Sequence, residues 1–138
     1  MRTLHVGLRV GDMDRSLAFF TAVGYEVVGR VAGTPIGDLA MLKLPDDEFV
    51  MIELVHDPSA AGEPKGTSLS HLVIKVESMR ATVADLTRHG ADVEEPTSPD
   101  DSESFLTSWV TDPDGNRIEL VQWPPGHADG ITAADTAD

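Results

Sequence analysis

The sequence lacks cysteine altogether and has few basic residues. Without cysteine the chain can form no disulfide, no thiolate ligand and no cysteine nucleophile, so any metal must be bound through nitrogen and oxygen. Only 10 lysines and arginines stand against 24 acidic residues, for a formal net charge of −14. Such a surface repels phosphate backbones and anionic lipids, and we expect neither nucleic acid nor a membrane as a partner.

The chain also lacks any long apolar run. With 138 residues, 41% of them hydrophobic, it has enough apolar side chains for one compact domain but no stretch that predicts a transmembrane helix. The N-terminus leads directly into a strand-like pattern, without the apolar segment and cleavage site of an export signal. We therefore predict a cytoplasmic location.

An internal repeat with an offset of 66 residues runs through the sequence. The letters MIELVH around Glu53 return as RIELVQ around Glu119. The same offset pairs further residues of the two halves, namely His5 with His71, Arg9 with Lys75, Val10 with Val76, and Gly24 with Gly90. If the two halves shared only apolar residues, the repeat would indicate no more than a duplicated hydrophobic core. These copies also share a histidine near the start and a carboxylate near the end.

Each half has the pattern of a strand, a helix and three further strands. Residues 4–10 alternate as in a half-buried strand, Asp12 is suited to cap a helix that ends near Gly24, and Ser78 takes the capping place in the second copy. This predicts one α+β domain at residues 1–123, made of repeats 2–56 and 68–123. Residues 57–66 form the connector, and residues 124–138 are expected to be a flexible C-terminal tail.

The two histidines and two glutamates are candidate metal ligands. Duplicated modules usually pack about a pseudo-twofold axis, so His5 and Glu53 should approach each other and face the equivalent pair, His71 and Glu119. This donor set suits a divalent transition ion better than calcium, which prefers oxygen alone. The alternative is that each is a solvated strand residue, but their common offset favours the metal site.

Two cations lie on the same predicted strand faces as these histidines. Arg9 and Lys75 each stand four residues after the histidine of their strand. One or both could bind an anionic part of a substrate. Alternatively, they offset the charge of the nearby glutamates or simply reach solvent.

Several motifs together resemble the vicinal oxygen chelate superfamily, and within it most closely the short bacterial glyoxalase I branch (lactoylglutathione lyase). They are LHVGLRV followed by Asp12, IEL at Glu53, SHL at His71, and DPDGNRIEL, which ends at Leu120. The resemblance implies two βαβββ modules that form a cupped eight-stranded sheet around one metal ion. Short bacterial members often use nickel or cobalt, and zinc and manganese stay open here. The resemblance also implies a homodimer whose sites are shared between subunits.

The family's chemistry implies roles for the same residues. A hemithioacetal of methylglyoxal and a thiol would be isomerised through an enediolate, with Glu119 as the base and Glu53 as its counterpart. Arg9 matches the family position that holds a carboxylate of glutathione. Asp57 stands where glutathione-using members usually have asparagine, and its charge would oppose a carboxylate-rich thiol.

Two other functions compete with this reading. A methylmalonyl-CoA epimerase also uses a metal-stabilised enolate, but the family's epimerases usually have glutamine where this chain has Glu53. A drug-sequestering protein of the bleomycin-resistance type would need no metal, and four intact ligands count against it. Assays with methylglyoxal and several thiols, and with methylmalonyl-CoA, would separate the three.

Overall fold

The computed structural model describes residues 5–60, 69, 71–130 and 134. Its elements, in chain order, are β1 (Val6–Arg9), α1 (Met13–Val23), β2 (Glu26–Thr34), β3 (Gly37–Lys43), β4 (Ile52–His56), a 3-10 turn (Pro58–Ala60), β5 (His71–Lys75), α2 (Met79–Arg88), β6 (Asp92–Val93), β7 (Leu106–Thr111) and β8 (Arg117–Gln122). The two predicted βαβββ modules are confirmed. Neither helix in the described part of the chain is long and apolar enough to cross a membrane.

The eight strands of the described residues form two four-stranded sheets of the same topology. The strand order is β1-β4-β3-β2 in the first sheet and β5-β8-β7-β6 in the second. In each sheet the first and last strands of the module pair in parallel, while the remaining neighbours are antiparallel. Parallel neighbours need a long crossover connection, and in each module this connection includes the helix. The α+β fold class is therefore confirmed.

The repeat offset is preserved in the hydrogen-bonding register. Val6 pairs with Ile52 in the first sheet, and Leu72 pairs with Ile118, 66 residues later, in the second. One residue further along, Gly7 lies beside Glu53 and Val73 lies beside Glu119. Both glutamates therefore occupy equivalent positions, on the central strand that pairs with β1 in the first sheet and with β5 in the second.

The helices begin where capping side chains stand. Asp12 accepts a hydrogen bond from the backbone N–H of Arg15 at 2.9 Å, and Ser78 accepts one from Ala81 at 3.3 Å. Each bond satisfies a donor that has no partner within the helix. At the other end of α1, Gly24 has a φ of 123° and donates to the carbonyls of Phe20 and Thr21. Only glycine adopts such a conformation readily, which ends the helix there.

Each unit has its own apolar core between helix and sheet. In the first, Phe20 of α1 is fully buried and meets the Tyr25 ring edge-on at 5.6 Å, and Leu42 and Leu54 of the sheet are buried as well. In the second, the buried apolar side chains are Ile74, Met79, Leu86, Leu106, Val110, Ile118, Leu120 and Val121. Burying one such side chain contributes roughly 1.5 to 3 kcal/mol, so these few residues supply much of the folding free energy.

The boundary between the compact units does not follow the repeat. The first unit comprises Met1–Leu69 together with Asp112–Asn116, and the second comprises Ser70–Thr111 with Arg117–Asp138. Residues 112–116, which we call the 112–116 turn, join β7 to β8. Asp114 of this turn, whose side chain is 2% exposed, accepts hydrogen bonds from the backbone N–H of Gly11 at 2.9 Å and from the Ser16 hydroxyl at 3.2 Å.

Two predicted segments fall partly outside the described residues. Of the connector at residues 57–66, the structure describes Asp57 and the 3-10 turn. Of the C-terminal tail at residues 124–138, it describes residues 124–130 and 134, and there the N–H of His127 donates to the carbonyl of Pro124 at 3.1 Å. The flexibility of the tail stays a prediction, as do the predicted domain bounds.

Candidate active site

The first histidine and glutamate lie side by side at the edge of β1. His5 immediately precedes β1, and its Nε2 lies 3.7 Å from Oε2 of Glu53 on β4. The histidine side chain is 39% exposed and the glutamate side chain 18% exposed. Both donor atoms are thus near each other and accessible to a ligand.

The second pair repeats this arrangement. Nε2 of His71 lies 3.9 Å from Oε2 of Glu119, with side-chain exposures of 38% and 24%. The Trp109 ring on β7 meets the His71 ring edge-on at 5.3 Å, and the guanidinium of Arg117 lies 4.8 Å from the centre of the same indole. The imidazole of His71 is therefore packed against an indole of β7.

Each pair supplies two possible metal ligands. Among the described residues, no third histidine or carboxylate joins either pair in a group of three that could hold a metal ion. The structure thus places all four candidate ligands in two equivalent pairs. Their role as metal ligands stays a prediction.

A cavity of about 410 Å³ lies over the second pair. Its lining residues are His71, Val73, Lys75, Phe105, Thr107, Glu119, Val121, Trp123, Asp129 and Gly130. Trp123 forms part of the wall, and its indole stacks on the ring of Phe105, with centroids 5.4 Å apart, and on the ring of His127, at 4.2 Å. The cavity is large enough for a small organic molecule and combines apolar walls with a few polar groups, which is typical of a ligand site.

Lys75 lies in the cavity wall and is bound by two carboxylates. Its Nζ lies 2.8 Å from Oδ1 of Asp129 and 2.9 Å from Oε1 of Glu77. The bond to Asp129, followed by that to Glu77, raises the pKa of the lysine, while Lys75 holds the pKa of Asp129 below its usual range. Both members of the pair are charged at neutral pH.

Arg9 of the first sheet also has a carboxylate nearby. Asp57 directly follows β4, and its Oδ1 accepts hydrogen bonds from the backbone N–H and the hydroxyl of Ser59, at 2.9 and 2.7 Å. These bonds hold the pKa of Asp57 below its usual range, and the charge of Arg9 lowers it further. Asp57 is therefore anionic at neutral pH.

Sequence reasoning missed part of the cavity wall. Phe105 was not among the candidate site residues, and Trp123 and Asp129 lie at or beyond the end of the repeat, where the 66-residue offset carries no information. The Trp-Pro-Pro-Gly run from Trp123 to Gly126 was the available signal, because a turn after the last strand returns the chain toward the sheet.

The topology of paired βαβββ modules and the repeated histidine–glutamate pair define the class of protein. The family model for the glyoxalase/bleomycin resistance protein/dioxygenase superfamily matches residues 2–120, and the chain belongs to this family. This confirms the resemblance on which the sequence reading relied.

The individual proteins that this chain resembles include a lactoylglutathione lyase and two glyoxalase I enzymes. The chain is 30% identical to the lactoylglutathione lyase of Salmonella typhimurium over 125 residues, which cover 88% of this chain and 93% of that protein. Among solved structures, the trypanothione-dependent glyoxalase I of Leishmania major superposes with a TM-score of 0.72 at 30% identity, over 88% of this chain and 86% of that one. The glyoxalase I of Zea mays gives a TM-score of 0.76 at 25% identity over 89% of this chain, which spans about half (45%) of the maize protein.

Proposed function

We propose that this chain is a glyoxalase I-like lyase that uses a divalent metal ion to isomerise the hemithioacetal of methylglyoxal and a thiol. The observation that carries the proposal is the repeated pair of a histidine and a glutamate, with Nε2–Oε2 distances of 3.7 and 3.9 Å at equivalent places in both repeats. Membership of the family and the similarity to a lactoylglutathione lyase support the reaction.

The four side chains suit a divalent transition metal. Imidazole nitrogen and carboxylate oxygen are ligands that nickel, cobalt, zinc and manganese accept. Two such ligands, each about 2.1 Å from one ion, lie roughly 3.0 to 3.4 Å apart. The observed separations of 3.7 and 3.9 Å are slightly wider, and a small rotation of these partly exposed side chains would close the difference. Nickel or cobalt is the expected ion.

A homodimer would complete the ligand set. In this arrangement His5 and Glu53 of one subunit meet the second histidine–glutamate pair of the other. The strand faces that bear the ligands also expose apolar side chains: Val73, beside Glu119, is 54% exposed, and Met51, two residues before Glu53, is 44% exposed. A twofold partner would cover this surface, which is otherwise unfavourably in contact with water.

We assign the proton transfer to Glu119, because its carboxylate lines the cavity. When bound, the metal ion would polarise the substrate oxygens and stabilise the enediolate. The carboxylate of Glu119 lines the cavity beside His71, where it can take the proton from the substrate carbon and return it to the neighbouring carbon. Phe105, Val121 and Trp123 line the same cavity with apolar surface, which would limit the access of water to the intermediate. Glu53 is the counterpart that the first repeat supplies.

Elemental analysis of protein purified without chelator tests the ligand set. We expect about one nickel or cobalt ion per chain in the native protein and a loss of most of it in His71→Ala and Glu119→Gln, because each removes one of the four ligands. His89→Ala is the matched control, since the His89 ring hydrogen-bonds the carbonyl of Asp85 at the end of α2. Equal metal contents in all four proteins would overturn the assignment.

Activity is measured on the metal-loaded protein with methylglyoxal and a series of thiols. Product formation that disappears in Glu119→Gln would support the lyase. No turnover with any thiol, despite bound metal, would overturn the proposed reaction.

A further inference from the structure

The imidazole of His71 packs against an aromatic ring that comes from the far side of β8. Trp109 of β7 pairs in register with Glu119 of β8, and its indole meets the His71 ring edge-on with centroids 5.3 Å apart. Aromatic rings in such an arrangement attract each other at centroid distances of about 4.5 to 7 Å. Because β8 lies between β5 and β7 in the sheet, the two rings meet across the strand that carries the glutamate of the second pair.

The indole of Trp109 is itself held by its neighbours. The guanidinium of Arg117 lies 4.8 Å from the centre of the ring, within the roughly 6 Å over which a cation is attracted to an aromatic face. Nη2 of Arg117 also donates to Oε1 of Glu94 at 3.2 Å, and the backbone N–H of Glu94 donates to the carbonyl of Trp109 at 2.8 Å. Trp109 is therefore anchored through both its ring and its backbone.

The repeat does not account for this arrangement. Met41 has in the first sheet the register position that Trp109 has in the second, because it pairs with Glu53. Met51 stands 66 residues before Arg117. Methionine side chains are unbranched and have three rotatable bonds, so they adapt to their neighbours more than they fix them. The aromatic and cationic contacts are thus an addition of the second module.

The orientation of a histidine affects metal binding, because an imidazole that rotates freely loses this freedom when its nitrogen binds an ion. The side chains of His5 and His71 are almost equally exposed, at 39% and 38%, so exposure alone leaves both the same room. At His71 the indole occupies one side of the ring, while Nε2 lies 3.9 Å from Oε2 of Glu119. The packed orientation therefore leaves this nitrogen beside the second candidate ligand.

We propose that Trp109 is a positioning residue of the metal site: it holds the imidazole of His71 beside Glu119 and so raises the affinity of the site for its ion. The inference rests on the proposed function, because it takes His71 as a metal ligand. Partners that hydrogen-bond a metal-bound histidine change metal affinity by about 10- to 100-fold. A single aromatic contact is weaker, and we expect an effect of about three- to tenfold.

Competition with a chromophoric chelator measures the dissociation constants of Ni²⁺ and Co²⁺. Trp109→Leu should weaken the binding of both ions by about three- to tenfold, and Trp109→Phe, which keeps an aromatic ring at this place, should recover most of the loss. Trp123→Leu is the matched control, since the indole of Trp123 stacks on the rings of Phe105 and His127. An equal loss of affinity in Trp123→Leu, or none in Trp109→Leu, would overturn the inference.

The order of the His71 ring in the metal-free protein separates positioning from a general loss of stability. NMR relaxation of the ring carbon Cε1 should give a lower order parameter in Trp109→Leu than in the native protein, and a value close to the native one in Trp109→Phe. The backbone amides of β5 should keep their order parameters in both variants. Weaker metal binding with an unchanged His71 ring would mean that the indole acts through another group, which would overturn the inference.

The failure of this inference is distinguishable from that of the proposed function. Native-like metal affinity in His71→Ala would overturn the ligand set of the proposed function, and the positioning role with it. Weakened binding in His71→Ala together with native-like binding in Trp109→Leu would overturn the inference alone and leave the metal site in place.

Discussion

Replacing Asp114 by alanine tests how the 112–116 turn holds the first unit together. The carboxylate is almost completely buried and accepts two hydrogen bonds, from the N–H of Gly11 and from the hydroxyl of Ser16. Ser16 is itself fully buried, so its hydroxyl has no access to bulk water. The truncation removes the acceptor for both donors at the start of α1.

The magnitude follows from these two bonds. A hydrogen bond to a carboxylate contributes about 1.5 to 3 kcal/mol, and removal of the buried carboxylate returns part of its desolvation cost. Arg15, 4.0 Å away and 57% exposed, adds little. We therefore expect Asp114→Ala to lower the free energy of unfolding by about 3 kcal/mol, or the melting temperature by roughly 10 °C for a chain of this size.

Urea unfolding followed by circular dichroism measures this change. Asp114→Asn keeps one acceptor oxygen and should cost about half as much, while Asp46→Ala at an exposed turn should change stability by less than about 0.5 kcal/mol. A double-mutant cycle with Ser16→Ala isolates the hydroxyl bond, for which we expect a coupling of about 1 kcal/mol. A loss below about 1 kcal/mol in Asp114→Ala, or no coupling in the cycle, would refute the reasoning.

Two further predictions concern the backbone and the assembly. Gly37→Ala should destabilise the protein by about 2 kcal/mol or more, since the residue has a φ of 122° and a Cβ there would collide with the carbonyl oxygen of His56. Gly33→Ala, which meets open space at a φ of 68°, should cost only about 1 kcal/mol in the same unfolding assay, and equal losses would contradict the collision. Mixing inactive His5→Ala with inactive Glu119→Ala should restore part of the activity, because one of the two sites in a heterodimer would regain all four ligands. No recovery after verified subunit exchange would instead favour sites built within one chain.

The sequence was informative wherever a feature is periodic or local. The 66-residue offset predicted two βαβββ modules, and the register of Gly7 beside Glu53 and Val73 beside Glu119 follows the same offset. Helix capping by Asp12 was likewise predictable, because the contact spans three residues.

Contacts between segments far apart in the chain were not predictable in the same way. The motif that contains Asp114 was recognised in the sequence, but the bonds of this residue to Gly11 and Ser16 join residues about 100 positions apart and leave no periodic trace. The same holds for Asp129, whose position beside Lys75 depends on how the chain turns back after Trp123. The four candidate ligands could be chosen from the repeat, whereas the walls that would shape a substrate around them could not.

The position of the 112–116 turn in the first unit has a consequence for building chimeras with relatives. The connector between the repeats looks like the natural crossover point, but an exchange there would combine α1 from one parent with the turn from another. The hydrogen bonds donated by Gly11 and Ser16 would then form only if the turn from the other parent carries an aspartate at the position of Asp114. The segment to be exchanged as a whole is thus the first repeat together with the 112–116 turn of the second. A library of chimeras that exchanges both together should contain more folded members than one that exchanges segments at the connector alone.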